Sequence, residues 1–259
     1  LYNQRPNLAV QPPGQPDGAI DLDGFFGLAP ASAPFLTPWN DGNLLFVHAA
    51  GNPNDNRSHF VKQDIWERGT DSDTDLTPSG WLARHLQHTA PATPNAPMRA
   101  MVTDAFVVKA LALAPNTLAI PDASQFTLYA TPPFDTLRVQ ALQAMYDVAA
   151  PPLGAAALNT FDTLSLLDAI DFENYLPANG AVYPPGPFGT KLMQVAAIIK
   201  ADIGLEVAEV DLGGWDLHEG LGPISGSMAA LLDQLSKAFE AFYLDMGNGM
   251  DGVTVLAQS

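Results

Sequence analysis

The chain contains no cysteine. Disulfide frameworks, zinc–thiolate sites and cysteine nucleophiles are therefore excluded. Charge is scarce, with only 15% of the 259 residues being Asp, Glu, Lys or Arg. Basic residues are scarcer still: 11 stand against 28 acidic ones, for a formal net charge of -17. Such a surface repels phosphate backbones, which argues against nucleic acid as a partner. The acidity suits a saline or extracellular setting, and it serves plain solubility equally well. No stretch approaches the roughly 18 consecutive apolar residues of a membrane span. There is no GxSxG elbow, no P-loop and no Rossmann glycine fingerprint, so the enzyme classes built on them drop out.

What is present is apolar residue in quantity, 47% of the chain, enough for a sizeable core. The length suits one large domain or two small ones. With 23 Pro and 21 Gly, long shaped loops are expected rather than a helical bundle. The chain opens at Leu1 rather than Met, shows no signal peptide, and stops inside the strand-like "GVTVLAQS". A processed or truncated protein is expected to look this way.

Along the first 40 residues Pro and Gly leave room for one short helix, near 33–40. "NLLFVHAA" (43–50) has the pattern of a buried strand, with His48 a hydrogen-bonded core histidine near its end. A polar loop, "GNPNDNRS", follows. "SHFVKQDIWERG" (58–69) reads as a helix with Ser58 as N-cap and Phe60, Ile65 and Trp66 on its apolar side. "GWLARHLQH" is a short helix with Trp81, Leu82 and Leu86 inward, and "MRAMVT" is a strand. Residues 135–150 place Leu137, Leu142 and Met145 at helical spacing, and "FDTLSLLDAIDF" is helical too. The clearest helix is 189–204, with Leu192, Val195, Ala196 and Ile199 on one face and Gly204 as its stop. A strand (205–212), a loop, a long amphipathic helix (227–247) and a closing strand follow. This βαβ rhythm predicts an α/β fold with a mostly parallel sheet. No internal repeat and no domain linker stands out, so residues 1–259 are expected to form a single α/β domain, with a loose insertion around 104–186.

Ligands of such folds gather at the carboxyl ends of strands, where two constellations lie. The first is "DLGGWDLHEG". Asp216 and His218 offer a carboxylate and an imidazole two residues apart, good ligands for zinc, manganese or iron, and Gly213 and Gly214 permit a tight turn. The alternative is an Asx-turn with an exposed histidine and Trp215 as a plug over the core. The second is "RSHF". Ser58 at a helix N-terminus is well placed for a nucleophile, Arg57 suits phosphate or sulfate oxygens, and His59 is a candidate ligand or proton carrier. The alternative is an N-cap serine beside a surface histidine. Two further features carry less. His85 and His88 lie three apart on one helix and are expected at the surface or half-buried, the alternative being an (i, i+3) metal-binding pair. "DSDTD" (71–75) lacks the glycine and the bidentate glutamate of a calcium loop and reads as a solvated charge run.

The motifs "AIDLDGFFGLAPASAPF", "LLFVHAAG", "RSHFVKQDIWERG", "GWLAR", "KLMQVAAIIKADIGLEVAEVDLGGWDLHEG" and "LLDQLSKAFEAFYLDMG" occur in this order. Together they resemble the bacterial family called domain of unknown function 1501. The resemblance spans almost the whole chain and is weakest between about 103 and 181. The family is grouped with the alkaline phosphatase-like superfamily, which holds sulfatases and cofactor-independent phosphoglycerate mutases. The resemblance implies a doubly wound sheet flanked by helices and a metal-assisted hydrolase site for phosphate or sulfate esters. It also implies export to the periplasm or beyond, often by the twin-arginine route. Asp216 and His218 match the family's Trp/Phe-Asp-Thr-His motif as metal ligands, with Leu217 where Thr is usual. Ser58 matches the serine of Arg-Ser-His-Phe and resembles the superfamily's nucleophile; His59 and Gln63 fall in the same motif.

The family begins with a strand bearing an Arg-Gly-Gly…Asp-Gly motif that carries a metal-binding aspartate, and this sequence starts after it. The family continues with Ser-Glu-Phe-Gly-Arg and a later Asp-His pair, whereas this sequence stops at Ser259. At least half of the ligand set is thus expected to be missing, along with the first and last strands of the sheet. Three functions remain in view. One is a hydrolase of phosphate or sulfate esters that depends on a divalent metal (zinc, manganese, iron or calcium), or an inactive fragment of one. A second is a non-catalytic exported module that binds a polysaccharide or a protein partner. The third is one half of a nicked enzyme whose missing motifs lie on a second chain.

Overall fold

A computed structural model of the chain describes residues 4–52, 57–128, 134–222 and 224–258. The expected polar loop at 53–56, residues 129–133 of the expected insertion, and Ser259 lie outside the described residues. In chain order the elements are strands β1 (Ile20–Asp21) and β2 (Gly27–Leu28), helices α1 (Leu36–Asn40), α2 (His59–Arg68) and α3 (Trp81–His88), and strands β3 (Ala100–Val102) and β4 (Thr117–Ala119). Helices α4 (Phe134–Asp147), α5 (Leu153–Asp168) and α6 (Pro187–Lys200), strand β5 (Val207–Glu209) and helix α7 (Ser227–Met246) follow. The sheet of β3, β4 and β5 is parallel throughout, in the order β4-β3-β5, so the protein is α/β as its sequence rhythm predicts. The chain divides into two compact units. One, the α7 unit, comprises Leu1–His48, Leu176–Met193 and Asp211–Thr254; the other, the sheet unit, comprises Ala49–Tyr175, Gln194–Val210 and Val255–Ser259.

In the sheet unit, β3 is the centre. Ala100 pairs with Thr117 on one side and Val207 on the other, and Ala100, Met101 and Val102 are all buried. Leu86 of α3 and Leu111 close over Ala100 and Val102, with Leu82, Val108, Ala114 and Val207 packed around them. Removing each large side chain of this cluster from water contributes about 1.5–3 kcal/mol. Gly80, just before α3, lets the backbone come close: a Cβ there would stand 2.0 Å from the Ala110 carbonyl oxygen. Arg99, at the entrance to β3, is buried and grips Glu206 at the entrance to β5, with Nε 2.6 Å from Oε1 and Nη2 2.9 Å from Oε2. Of the strand expected over 205–212, only Val207–Glu209 is paired. Helix α2 covers most of the stretch expected and ends in a left-handed Gly69. Its expected apolar side is only partly buried. Ile65 is 2% exposed, but Phe60 is 86% exposed. Helices α4 and α5 pack on each other, with Tyr146 against Phe161, while Leu137 and Met145 of the expected apolar face remain exposed.

In the α7 unit, the long helix buries Ala238, Ala241, Phe242 and Asp245, an i, i+3, i+4, i+7 stripe. Phe239 meets Phe35 edge-on, Ser236 donates to the Ala31 carbonyl, and Thr37 donates to the Glu240 carboxylate. The Asp245 carboxylate is buried, accepting from the Ala178 amide (2.7 Å) and the Tyr183 hydroxyl (2.9 Å). Strands β1 and β2 form an antiparallel hairpin. In its turn, Asp23 accepts from the Phe26 and Phe25 amides, and these bonds hold its carboxyl below the usual range.

Two expected strands are not formed among the described residues. Residues 43–50 pair with no neighbour, and their burial alternates: Phe46 packs on Phe35 and Trp39, while Leu45 and Val47 are 78% and 72% exposed. His48 is therefore no core histidine. It is exposed and stacks on Phe26, with ring centroids 3.9 Å apart. The closing segment, expected as a strand, likewise pairs with no strand over 253–258, and Leu256 is exposed. An apolar run becomes a strand only when a neighbouring backbone takes its hydrogen bonds.

Candidate functional site

Ser58 stands at the N-terminus of α2 with extended backbone (φ -76°, ψ 116°), and its Oγ accepts from the Val61 amide at 3.4 Å. It is thus the N-cap that its sequence position predicts. Arg57 and His59 flank it on the exposed surface, and the first turn of α2 contains no acidic residue. Lys62 Nζ, one turn in, donates to Asn52 Oδ1 at 3.2 Å. The positive end of the helix dipole also lies at this corner. Gln63 does not join them; its Nε2 donates along the helix to Glu67 Oε1 at 2.7 Å.

The far part of α2 is fixed by one ion pair within the helix and by contacts to distant residues that the sequence does not announce. Asp64 pairs with Arg68 (3.0 Å) and with Lys109, and Glu67 Oε2 accepts from the Ala110 amide (3.1 Å). Lys109 is 45 residues from Asp64, so no local pattern points to the pairing.

The second constellation lies in the α7 unit. Gly214 has φ +96° and runs close to Leu231 of α7. Trp215 Nε1 donates to the Leu212 carbonyl at 2.7 Å, which closes the turn. This brings Asp216 and His218 together: His218 Nε2 lies 2.8 Å from Asp216 Oδ1, with the side chains 80% and 61% exposed respectively. At this distance the imidazole and the carboxylate are hydrogen-bonded to each other, and holding one ion together would require them to give up that bond. Among the described residues, no group of three or more His, Asp or Glu is arranged to hold an ion. His85 and His88 are exposed on α3, as expected, and the 71–75 acidic run lies largely at the surface, with Asp75 accepting from the Thr77 hydroxyl and amide.

The chain matches no family model, no curated protein and no solved structure.

Ser58, Arg57 and His59 belong to the sheet unit, and Asp216 and His218 to the α7 unit. The strand expected just before Ser58 is not formed among the described residues, so that set does not lie at a strand's carboxyl end. The serine is presented by a helix N-terminus, and the carboxylate and imidazole converge across a turn.

Proposed function

We propose that this protein is a metal-dependent hydrolase of phosphate or sulfate esters, with an alkaline phosphatase-like site. In this reading Asp216 and His218 are metal ligands, Ser58 is the nucleophile, and Arg57 and His59 assist it. The observation that carries the reading is the 2.8 Å approach of His218 Nε2 to Asp216 Oδ1. Two unlike ligands, both accessible, converge without help from any distant element. When bound, a divalent ion (zinc, manganese, iron or calcium) would polarise the ester and favour the ionised nucleophile. The chain's own contribution is positional. The α2 N-terminus supplies N–H groups and dipole for an anionic group beside Ser58, and Arg57 supplies a planar cation for phosphoryl or sulfuryl oxygens. The parallel sheet agrees with the superfamily's doubly wound architecture in its strand direction. The acidic composition suits the exported setting that the resemblance implies, and serves plain solubility equally well.

Elemental analysis of the purified protein, with Asp216→Ala and His218→Ala beside it, tests the reading. Metal retained by the parent and lost in both variants is the expected result, followed by turnover of an aryl phosphate or aryl sulfate that Ser58→Ala abolishes. Metal content unchanged in both variants would overturn the ligand assignment. Full turnover in Ser58→Ala would remove the nucleophile.

A further inference from the structure

Helix α7 ends at Met246, and the chain beyond it borders an open cleft of about 300 Å³. Asn43, Asn179, Tyr243, Asn248, Met250 and Asp251 line it, all within the α7 unit. Three of these side chains, Asn43, Tyr243 and Asn179, are held by hydrogen bonds. Asn43 Nδ2 donates to Tyr243 Oη (2.8 Å), and Tyr243 Oη donates onward to Asp41 Oδ2 (2.9 Å). Asn179 Nδ2 donates to the Leu244 carbonyl (2.8 Å). Gly247, at φ +51°, carries the chain past Asn179 so closely that a Cβ there would stand 2.8 Å from Asn179 Nδ2. Donors and acceptors are therefore positioned before any ligand arrives, which lowers the entropic cost of binding.

Charge decides which ligands the cleft admits. Asp251 lines it and Asp41 backs Tyr243, while α7 directs its negative pole here with no basic residue in its last turn. Phosphate and sulfate esters are repelled. The lining is mixed: carboxamides that each offer donors and an acceptor, one carboxylate acceptor, and Leu244, Met250 and the tyrosine ring as an apolar surface. That combination matches a ring bearing vicinal hydroxyls: hydroxyls donate to carboxylate and amide oxygens, accept from amide N–H groups, and leave the C–H face for the aromatic ring.

We propose that this cleft binds a neutral saccharide. The proposal does not rest on the metal-dependent hydrolase reading, because the cleft shares no residue with either constellation. The test is a glycan array carrying neutral, amino-substituted and sulfated oligosaccharides, probed with the whole chain in the presence of EDTA. Hits are followed by calorimetric titration. Asn248 and Asp251 are exposed, so Asn248→Ala and Asp251→Ala leave the fold intact, as a melting curve verifies. The expected result is EDTA-resistant binding of a neutral glycan, weakened about tenfold by each substitution as one or two hydrogen bonds are lost. Amide shifts on titration should centre on Asn43, Asn179 and the 243–251 segment. The proposal is overturned if no neutral glycan binds, if only sulfated or amino glycans bind, or if both variants bind unchanged. It is overturned too if binding disappears with EDTA or in Asp216→Ala, which would place the sugar at the Asp216–His218 pair.

Discussion

Replacing Glu206 by Gln is the most informative single perturbation of the sheet unit. The Arg99 side chain is 4% exposed and that of Glu206 16%, so water screens their interaction little. Arg99 Nε and Nη2 hold the two carboxylate oxygens, while Nη1 donates to the Leu86 carbonyl (2.7 Å) at the end of α3. The guanidinium thus joins α3 to the entrances of β3 and β5. Breaking a buried pair by removing one partner costs about 3–5 kcal/mol, mostly the penalty of an uncompensated buried charge. Glutamine keeps the shape and one oxygen acceptor, so the expected cost is about 2–3 kcal/mol. Arg99's hydrogen bonds hold the Glu206 carboxyl below its ordinary value of 4.5, outweighing burial, which pushes it up; the Ala92 amide helps. The sign follows from that depression. The carboxylate's contribution is fully present above the unfolded-state value and is lost as pH falls through the lower folded-state value. Urea unfolding of parent and Glu206→Gln should differ by a constant amount near neutrality, and the gap should close as pH falls below 4.5. Hydrogen exchange of a peptide spanning β3 reports the same loss within the sheet unit. A cost below about 0.5 kcal/mol, the range of an ordinary surface substitution, would refute the reasoning. So would a gap that persists unchanged at strongly acidic pH.

Two further substitutions probe other parts of the sheet unit. Gly80→Ala places a Cβ 2.0 Å from the Ala110 carbonyl oxygen, so the backbone must shift; a loss of about 1–3 kcal/mol is expected by thermal or urea unfolding, and an unchanged midpoint would show that the approach is relaxed. Ser58→Ala removes a cap whose Oγ–Val61 distance is a long 3.4 Å, so stability should fall by only about 0.5 kcal/mol. A catalytic serine then shows itself as activity lost with the fold kept, whereas a larger stability loss would mark Ser58 as chiefly structural.

Helices were legible because their signals are local. Ser58 and Gly69 bracket α2 as cap and left-handed stop, and the apolar spacing of 189–204 appears as α6, ending at Lys200 with Gly204 (φ +93°) in the turn beyond. Within the candidate site, the Asp216–His218 convergence was legible for the same reason: two residues and a glycine turn suffice. The cleft beyond α7 was not legible, since Asn43 and Tyr243 are 200 residues apart and each is unremarkable in its own segment.

Strands mark the limit of a sequence reading. "NLLFVHAA" is more apolar than "MRAMVT", yet the second forms the buried centre of the sheet and the first has two side chains largely in water. By itself the sequence determined the α/β class, the existence of the main helices and the residues that offer chemistry at turns, because caps, period and composition act over a few residues. The helix ends it implied differ from those observed, as where α6 stops at Lys200 rather than at Gly204. Only the tertiary structure decided which extended segments pair and how a buried arginine is neutralised. Arg99 meets a glutamate 107 residues away, and β3 gains neighbours from both sides. Backbone hydrogen bonds and ion pairs between distant segments depend on where the chain returns, and no local pattern encodes that.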